Sequence, residues 1–170
     1  MNLNPMTLSE VEFSESVRCL PLVSIDFCIV NDKREILLVK RNNKPAKGYY
    51  FNPGGRIKKN ESIEKAIERI ARVEIGLCGL ERSSLEPMGA WDHFYNDSAF
   101  SDSISTHYVN LPHYLRISDS QQQQLSIEHG DELQHDSYTW LSLDEAENSA
   151  LVHKYSRVYA SVLNLSLIHI

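Results

Sequence analysis

The segment Pro53-Gly54-Gly55-Arg56, followed by Glu61, Arg69, Glu74 and Gly76, is the densest run of residues able to do chemistry in this chain of 170 residues. Two adjacent glycines let the main chain turn tightly and let its carbonyls or amides approach a ligand closely. Ile63, Ile67 and Ile70 then recur at helical spacing, which predicts a helix over 62–75 ending at Gly76. At about 100° per residue, Glu74 falls within roughly 20° of that apolar stripe. A carboxylate in line with a buried face needs a partner, because an unpaired buried charge is costly. A hard cation or Arg69 would supply one; the structural alternative is a plain ion pair at the helix end. Asp26 poses the same question, since it lies inside an apolar, β-branched run at 22–30.

The elements that must position these groups can be read from periodicity and turn chemistry. Residues 22–30 and 35–40 predict two strands joined by the turn Asn31-Asp32-Lys33-Arg34. A polar loop over 41–48 leads to a short aromatic strand at 49–51, which stops at Pro53. Further strands are expected near 86–95, 105–110, 114–117 and 137–141. A last helix is expected over 143–163, opened by a capping box from Ser142 to Glu145. Residues 1–20 read as an arm or a short amphipathic helix packing on a domain at 21–163, with an uninformative tail at 164–170. The stretch 118–132, with four consecutive glutamines, reads as a solvated polar loop. Together these predict a single α+β domain, a mixed sheet flanked by helices.

Composition sets outer bounds. Lys and Arg total 17 against 23 Asp and Glu, a formal net charge of −6. Neither nucleic acid nor an anionic membrane suits such a surface, so an anionic ligand would have to be held by a local cluster of positive groups. No apolar run reaches the ~18 residues that span a bilayer, and no signal-peptide pattern is visible. Cys19, Cys28 and Cys78 form no metal-binding or disulfide pattern, which predicts free thiols in a reducing cytoplasm.

The spacing Gly55, Glu61, Arg69, Glu74, Gly76, Leu77 resembles the Nudix box, with Ile70 and Val73 at two positions where the box usually has Glu. Those departures, and strings dispersed from Leu8 to Tyr159, resemble the GDP-mannose mannosyl hydrolase branch of that superfamily. The strings include Pro21-Leu22-Val23-Ser24 with Asp26, Lys40-Arg41 with Asn43, and Pro53-Gly54-Gly55-Arg56. Downstream come Trp91 with His93-Phe94-Tyr95, Thr106-His107-Tyr108-Val109, and Gln134-His135-Asp136. Asn52 departs from the branch, which tends to have an apolar residue there. The resemblance implies a Nudix fold and hydrolysis of GDP-mannose, or GDP-glucose, to GDP and free sugar. Water would attack the anomeric carbon with inversion.

The resemblance also assigns roles. Gly54 (through its carbonyl), Glu74 and Gln134 match ligands of one Mg²⁺, for which Mn²⁺ could substitute; all are oxygen donors, which suits a hard cation. His135 matches the general base. Arg41 and Arg56 match the groups that neutralise the diphosphate, and Tyr108 a donor to the leaving phosphate. Asp26 and His93 match sugar contacts, and Leu8 and Phe13 match N-terminal residues that line the guanine pocket. A homodimer is implied. Structural alternatives stand beside these roles: a surface loop for His135, a satisfied buried histidine for His93, an arginine pair for Asp26, core or dimer packing for Phe13, and a brace between Arg69 and Glu61. Two other functions remain open, a pyrophosphohydrolase cutting a nucleoside diphosphate sugar at P–O–P and a non-catalytic nucleotide-sugar-binding module.

Overall fold

The computed structural model describes residues 5–127 and 135–167. The chain opens with helix α1 (Glu10–Cys19), held by a reciprocal capping box between Ser9 and Glu12. The hairpin of β1 (Leu22–Val30) and β2 (Glu35–Arg41) turns where the Arg34 amide donates to the Asn31 carbonyl at 3.0 Å. β3 (Tyr50–Phe51) and β4 (Gly54–Arg56) then lead to α2 (Ile63–Ile75). Ser62 caps that helix and Gly76, at φ 72°, ends it in the left-handed region where glycine costs least. The later elements are β5 (Glu86–Pro87), β6 (Trp91–Tyr95), β7 (Thr106–Arg116), α3 (Asp119–Gln122), β8 (His135–Ser142), α4 (Leu143–Asn148) and α5 (Lys154–Leu167).

The strands form one mixed sheet. β1 pairs in parallel with β7 along its whole length, Leu22 opposite Tyr108 through Val30 opposite Arg116. On its other side β1 meets β2 only at Val30, while β4 pairs with it at 24–26. The sheet therefore splays between β1 and β2, and the β3–β4 segment bridges the gap. Alternation along β1 and β2 builds two cores. Ile25, Phe27, Ile29, Leu37 and Val39 pack on α2 through Ala66, Ile67, Ile70, Ala71 and Ile75. Cys28, Val30, Ile36 and Leu38 face Leu143, Ala146, Tyr159, Ala160 and Leu163 of α4 and α5. A sheet covered on both faces explains why β1 reads as a continuous apolar run.

Several expectations are corrected. The final helix is two, because the chain breaks at 149–153 so that Val152 can bridge to Tyr50. The strands expected at 105–110 and 114–117 are one strand running through Pro112. That proline is tolerated because β6 ends opposite Asn110 and β5 begins opposite His113, so no partner strand asks Pro112 for an amide. The strand expected near 86–95 is interrupted at Gly89, which takes φ 88°. Of the stretch expected as a polar loop over 118–132, residues 119–122 form the short helix α3, capped by Ser118 and Gln121, and 128–132 lie outside the described residues. Of the residues read as an arm or a short amphipathic helix, 10–19 form the helix α1.

Candidate active site

Gly54 and Gly55 do not make a turn. They are the strand β4, with Asp26 opposite Gly54 and Ile25 opposite Gly55. What demands glycine is close approach: a Cβ on Gly54 would lie 2.4 Å from both Asp26 Oδ1 and the Ile25 carbonyl. The bonds flanking this pair run from the Phe27 amide to the Pro53 carbonyl and from the Ile57 amide to the Val23 carbonyl, both 2.8 Å. Asp26 and Gly54 are thus a non-hydrogen-bonded pair, and β1 does not consume the Gly54 carbonyl.

A cavity of about 500 Å³ opens at the splay of the sheet. Asp26, Arg41, Gly54, Arg56, Glu74, His93, Tyr108 and Phe13 all line it, as do Ile70 and Val73. Leu8 does not, and lies half-exposed on the segment before α1. Gln134 and the side chain of His135 lie outside the described residues. The backbone of His135 stands opposite Arg41 in the β2–β8 ladder, beside a bulge at Lys40/Arg41.

Glu74 is 5% exposed, as its place in the helical period predicts. Arg69 does not pair with it. Instead Arg69 donates to both carboxylate oxygens of Glu61, at 2.6 and 2.8 Å, and to the Arg56 carbonyl at 2.9 Å. Glu61 in turn accepts from the Lys58 amide at 2.9 Å. Burial alone would raise the Glu61 carboxyl, but these donors bring it below the ordinary carboxylate range. This brace holds the loop from β4 into α2.

Asp26 is 6% exposed and forms no ion pair with an arginine among the described residues. Its Oδ2 is buried without a hydrogen-bond partner among the described residues. Burial pushes its carboxyl up to about 7; the Asn110 amide and the Arg41 charge oppose that, and the charge of Glu74 adds to it. Among the described residues no group of three or more His, Cys, Asp or Glu side chains gathers to hold a metal. The cavity does offer the buried Glu74 carboxylate and the Gly54 main-chain carbonyl left free by β1, both oxygen donors of the kind a hard cation takes.

Behind the lining, toward α5, lies an aromatic cluster. The Tyr159 hydroxyl donates to Asn110 Oδ1 at 3.1 Å, and Asn110 Nδ2 donates to Ser24 Oγ at 2.8 Å. With its proton so placed, Tyr159 accepts from His93 Nε2 at 2.6 Å. His93 Nδ1 is then an acceptor, with the Tyr95 hydroxyl at 3.5 Å. Tyr155 stacks on the imidazole, ring centroids 3.8 Å apart and 8° from parallel. Sequence reasoning missed Tyr155 and Tyr159 because they come from a helix far along the chain. Asn52, singled out in the sequence only as a departure from the branch, is buried at the cavity, and its Nδ2 donates to the Phe27 carbonyl at 3.3 Å.

Burial holds His93 at about 3, helped by the charges of His153 and Lys154 and opposed by that of Asp92. The unfolded chain takes up this proton near pH 6.5 and the folded chain refuses it until about 3. Stability should therefore fall as pH drops below about 6.5, by ~1.4 kcal/mol per pH unit from this residue. Urea unfolding at pH 6 and at pH 4.5 measures the slope, and His93→Asn should reduce it by about one proton. An unchanged slope would show that His93 titrates normally.

Burial also raises the Tyr108 hydroxyl above its ordinary range, with Arg41 and Arg56 pulling it down. Both arginines are partly buried at the cavity. Arg41 Nε donates to the Pro45 carbonyl at 2.9 Å, and the Arg56 guanidinium lies 3.9 Å from the Phe13 ring centroid. Loops on either side of the mouth are joined by an ion pair between Lys44 and Asp102.

A sheet splayed beside a glycine strand, with a braced helix carrying Glu74 into the cleft, defines a Nudix domain, and the chain belongs to that family: the NUDIX domain model matches residues 20–162. Among curated relatives, the chain is 34% identical over 108 residues to the low-salt glycan biosynthesis protein Agl8 of Haloferax volcanii, covering 64% of this chain and 67% of that one. It is 40% identical over 65 residues to the ADP-ribose pyrophosphatase of Methanocaldococcus jannaschii, 38% of each chain. Among solved structures, the MutT NUDIX hydrolase of Burkholderia pseudomallei aligns with a TM-score of 0.63 at 24% identity, over 83% of this chain and 96% of that one. The NUDIX domain of Shewanella oneidensis NrtR, solved with ADP ribose, aligns with a TM-score of 0.61 at 18% identity, over 93% and 99%. No described helix is long and apolar enough to cross a membrane, and all three cysteines are free thiols.

Proposed function

We propose that the chain hydrolyses a nucleoside diphosphate sugar, GDP-mannose or GDP-glucose, to GDP and free sugar. The observation that carries this reading is the cavity lining itself. Ile70 and Val73 put hydrocarbon where a Nudix box usually puts carboxylates, while Arg41, Arg56 and Tyr108 line the same space. Fewer anions and two guanidinium groups favour a leaving diphosphate over a site crowded with metal-bridging carboxylates.

Glu74, the Gly54 carbonyl and Gln134 would hold Mg²⁺, which when bound neutralises charge developing on the leaving diphosphate. Arg41 and Arg56 grip the phosphate oxygens through their planar donor forks, and the Tyr108 hydroxyl donates to the same group. Asp26 Oδ2, which has no hydrogen-bond partner among the described residues, accepts a hydrogen bond from a sugar hydroxyl, and His93 Nδ1 accepts another beside the Tyr95 hydroxyl. His135 takes the proton of a water whose oxygen bonds to the anomeric carbon as the bond to the phosphate oxygen breaks. The name of the Agl8 relative, a glycan biosynthesis protein, accords with a sugar substrate. A homodimer belongs to the same reading.

A second reading, cleavage at P–O–P to give GMP and a sugar phosphate, is favoured by the relative named as an ADP-ribose pyrophosphatase. Hydrolysis of GDP-mannose in ¹⁸O-water separates them. Label in free mannose is expected; label in GMP or mannose phosphate would establish the second reading, and no turnover with Mg²⁺ would leave a binding module.

A further inference from the structure

We propose that Phe13 is a positioning residue for Arg56. The Arg56 guanidinium sits 3.9 Å from the centroid of the Phe13 ring. Phe100, from the β6–β7 loop, meets that ring at 5.3 Å and 85°. All three side chains line the cavity. On the other flank, Arg69 donates to the Arg56 carbonyl at 2.9 Å, so the main chain and the side-chain head of Arg56 are held by different elements.

The face of a guanidinium carries no donors; its N–H groups radiate in its plane. A ring against that face restrains the group and leaves every donor directed outward, toward phosphate oxygens. Phe13 reaches this position because α1 is seated by Val17, its one buried residue, and started by the Ser9–Glu12 cap. α1 lies before residue 20, where the match to the NUDIX domain model begins. Arg56 thus occupies one face of the Phe13 ring. The inference rests on the reading that places a diphosphate beside Arg56.

The test compares Phe13→Leu with Phe13→Tyr, using inorganic pyrophosphate and guanosine as separate probes. In F13L the Arg56 side-chain N–H resonance, assigned with Arg56→Lys, should lose the ring-current shift. Its Kd for pyrophosphate should rise about 3- to 10-fold, with guanosine binding unchanged and thermal stability within a few degrees of the parent. F13Y keeps the ring and should restore both the resonance and the affinity. An Arg56 resonance that does not move overturns the proposal, as does a loss of guanosine affinity equal to that for pyrophosphate. If nucleotide sugars are not turned over at all, the functional reading fails on its own, while the resonance and the pyrophosphate titration still decide the role of Phe13.

Discussion

Arg69→Ala should destabilise the fold by about 3 kcal/mol, the lower end of the cost of breaking a buried ion pair. The Glu61 side chain is 2% exposed, and the Arg69 side chain 25%. Without Arg69, the Glu61 carboxylate keeps the Lys58 amide and loses two charge-assisted donations. The Arg56 carbonyl loses its donor as well. For a domain of this length, a loss of that size lowers Tm by roughly 6–12 °C. Arg69→Lys should recover less than half of it, since one ammonium cannot bridge two carboxylate oxygens and a carbonyl in a fixed fork. Thermal and urea unfolding measure the effect; a fall of under about 1 kcal/mol would mean that solvent already screens the pair.

Glu74→Gln should act on catalysis and leave the fold intact. The amide keeps the volume of the side chain and removes its charge from a cavity that already holds the buried Asp26 carboxylate. In the absence of metal the variant should still fold cooperatively, with a Tm within a few degrees of the parent's. With Mg²⁺ the parent should gain thermal stability, and the variant should gain little. Turnover should drop by about 10²–10³-fold, the rate equivalent of losing roughly 3–4 kcal/mol of transition-state charge stabilisation. Magnesium activation equal to the parent's would remove Glu74 from the ligand set.

The chain announces its local elements and conceals its long-range ones. β1, β2 and α2 follow from alternation, a helical stripe and a left-handed glycine, all of which act within a few residues. The burial of Glu74 was legible for the same reason, because helical period alone aims it inward. The break between α4 and α5 was not, since its cause is a bridge from Val152 to Tyr50 on the other side of the sequence. Nor was the continuity of β7 through Pro112, which depends on where two other strands stop. Asp26, Gly54 and Glu74 could each be singled out as unusual, yet nothing local says that the two glycines form a strand against Asp26. The Tyr159–His93 contact spans 66 positions and left no periodic trace.

The parallel ladder that seats β1 against β7 has a consequence for the order in which a living cell can make this protein. Each β1 residue finds its neighbour 86 positions further along, as Ser24 and Asn110 do. The first hairpin can close as soon as it leaves the ribosome, whereas the floor beneath Asp26 cannot exist until translation has passed Arg116. Such a distant pairing is slow to nucleate. A nascent chain halted before that point should carry Gly54 and Glu74 yet hold no nucleotide.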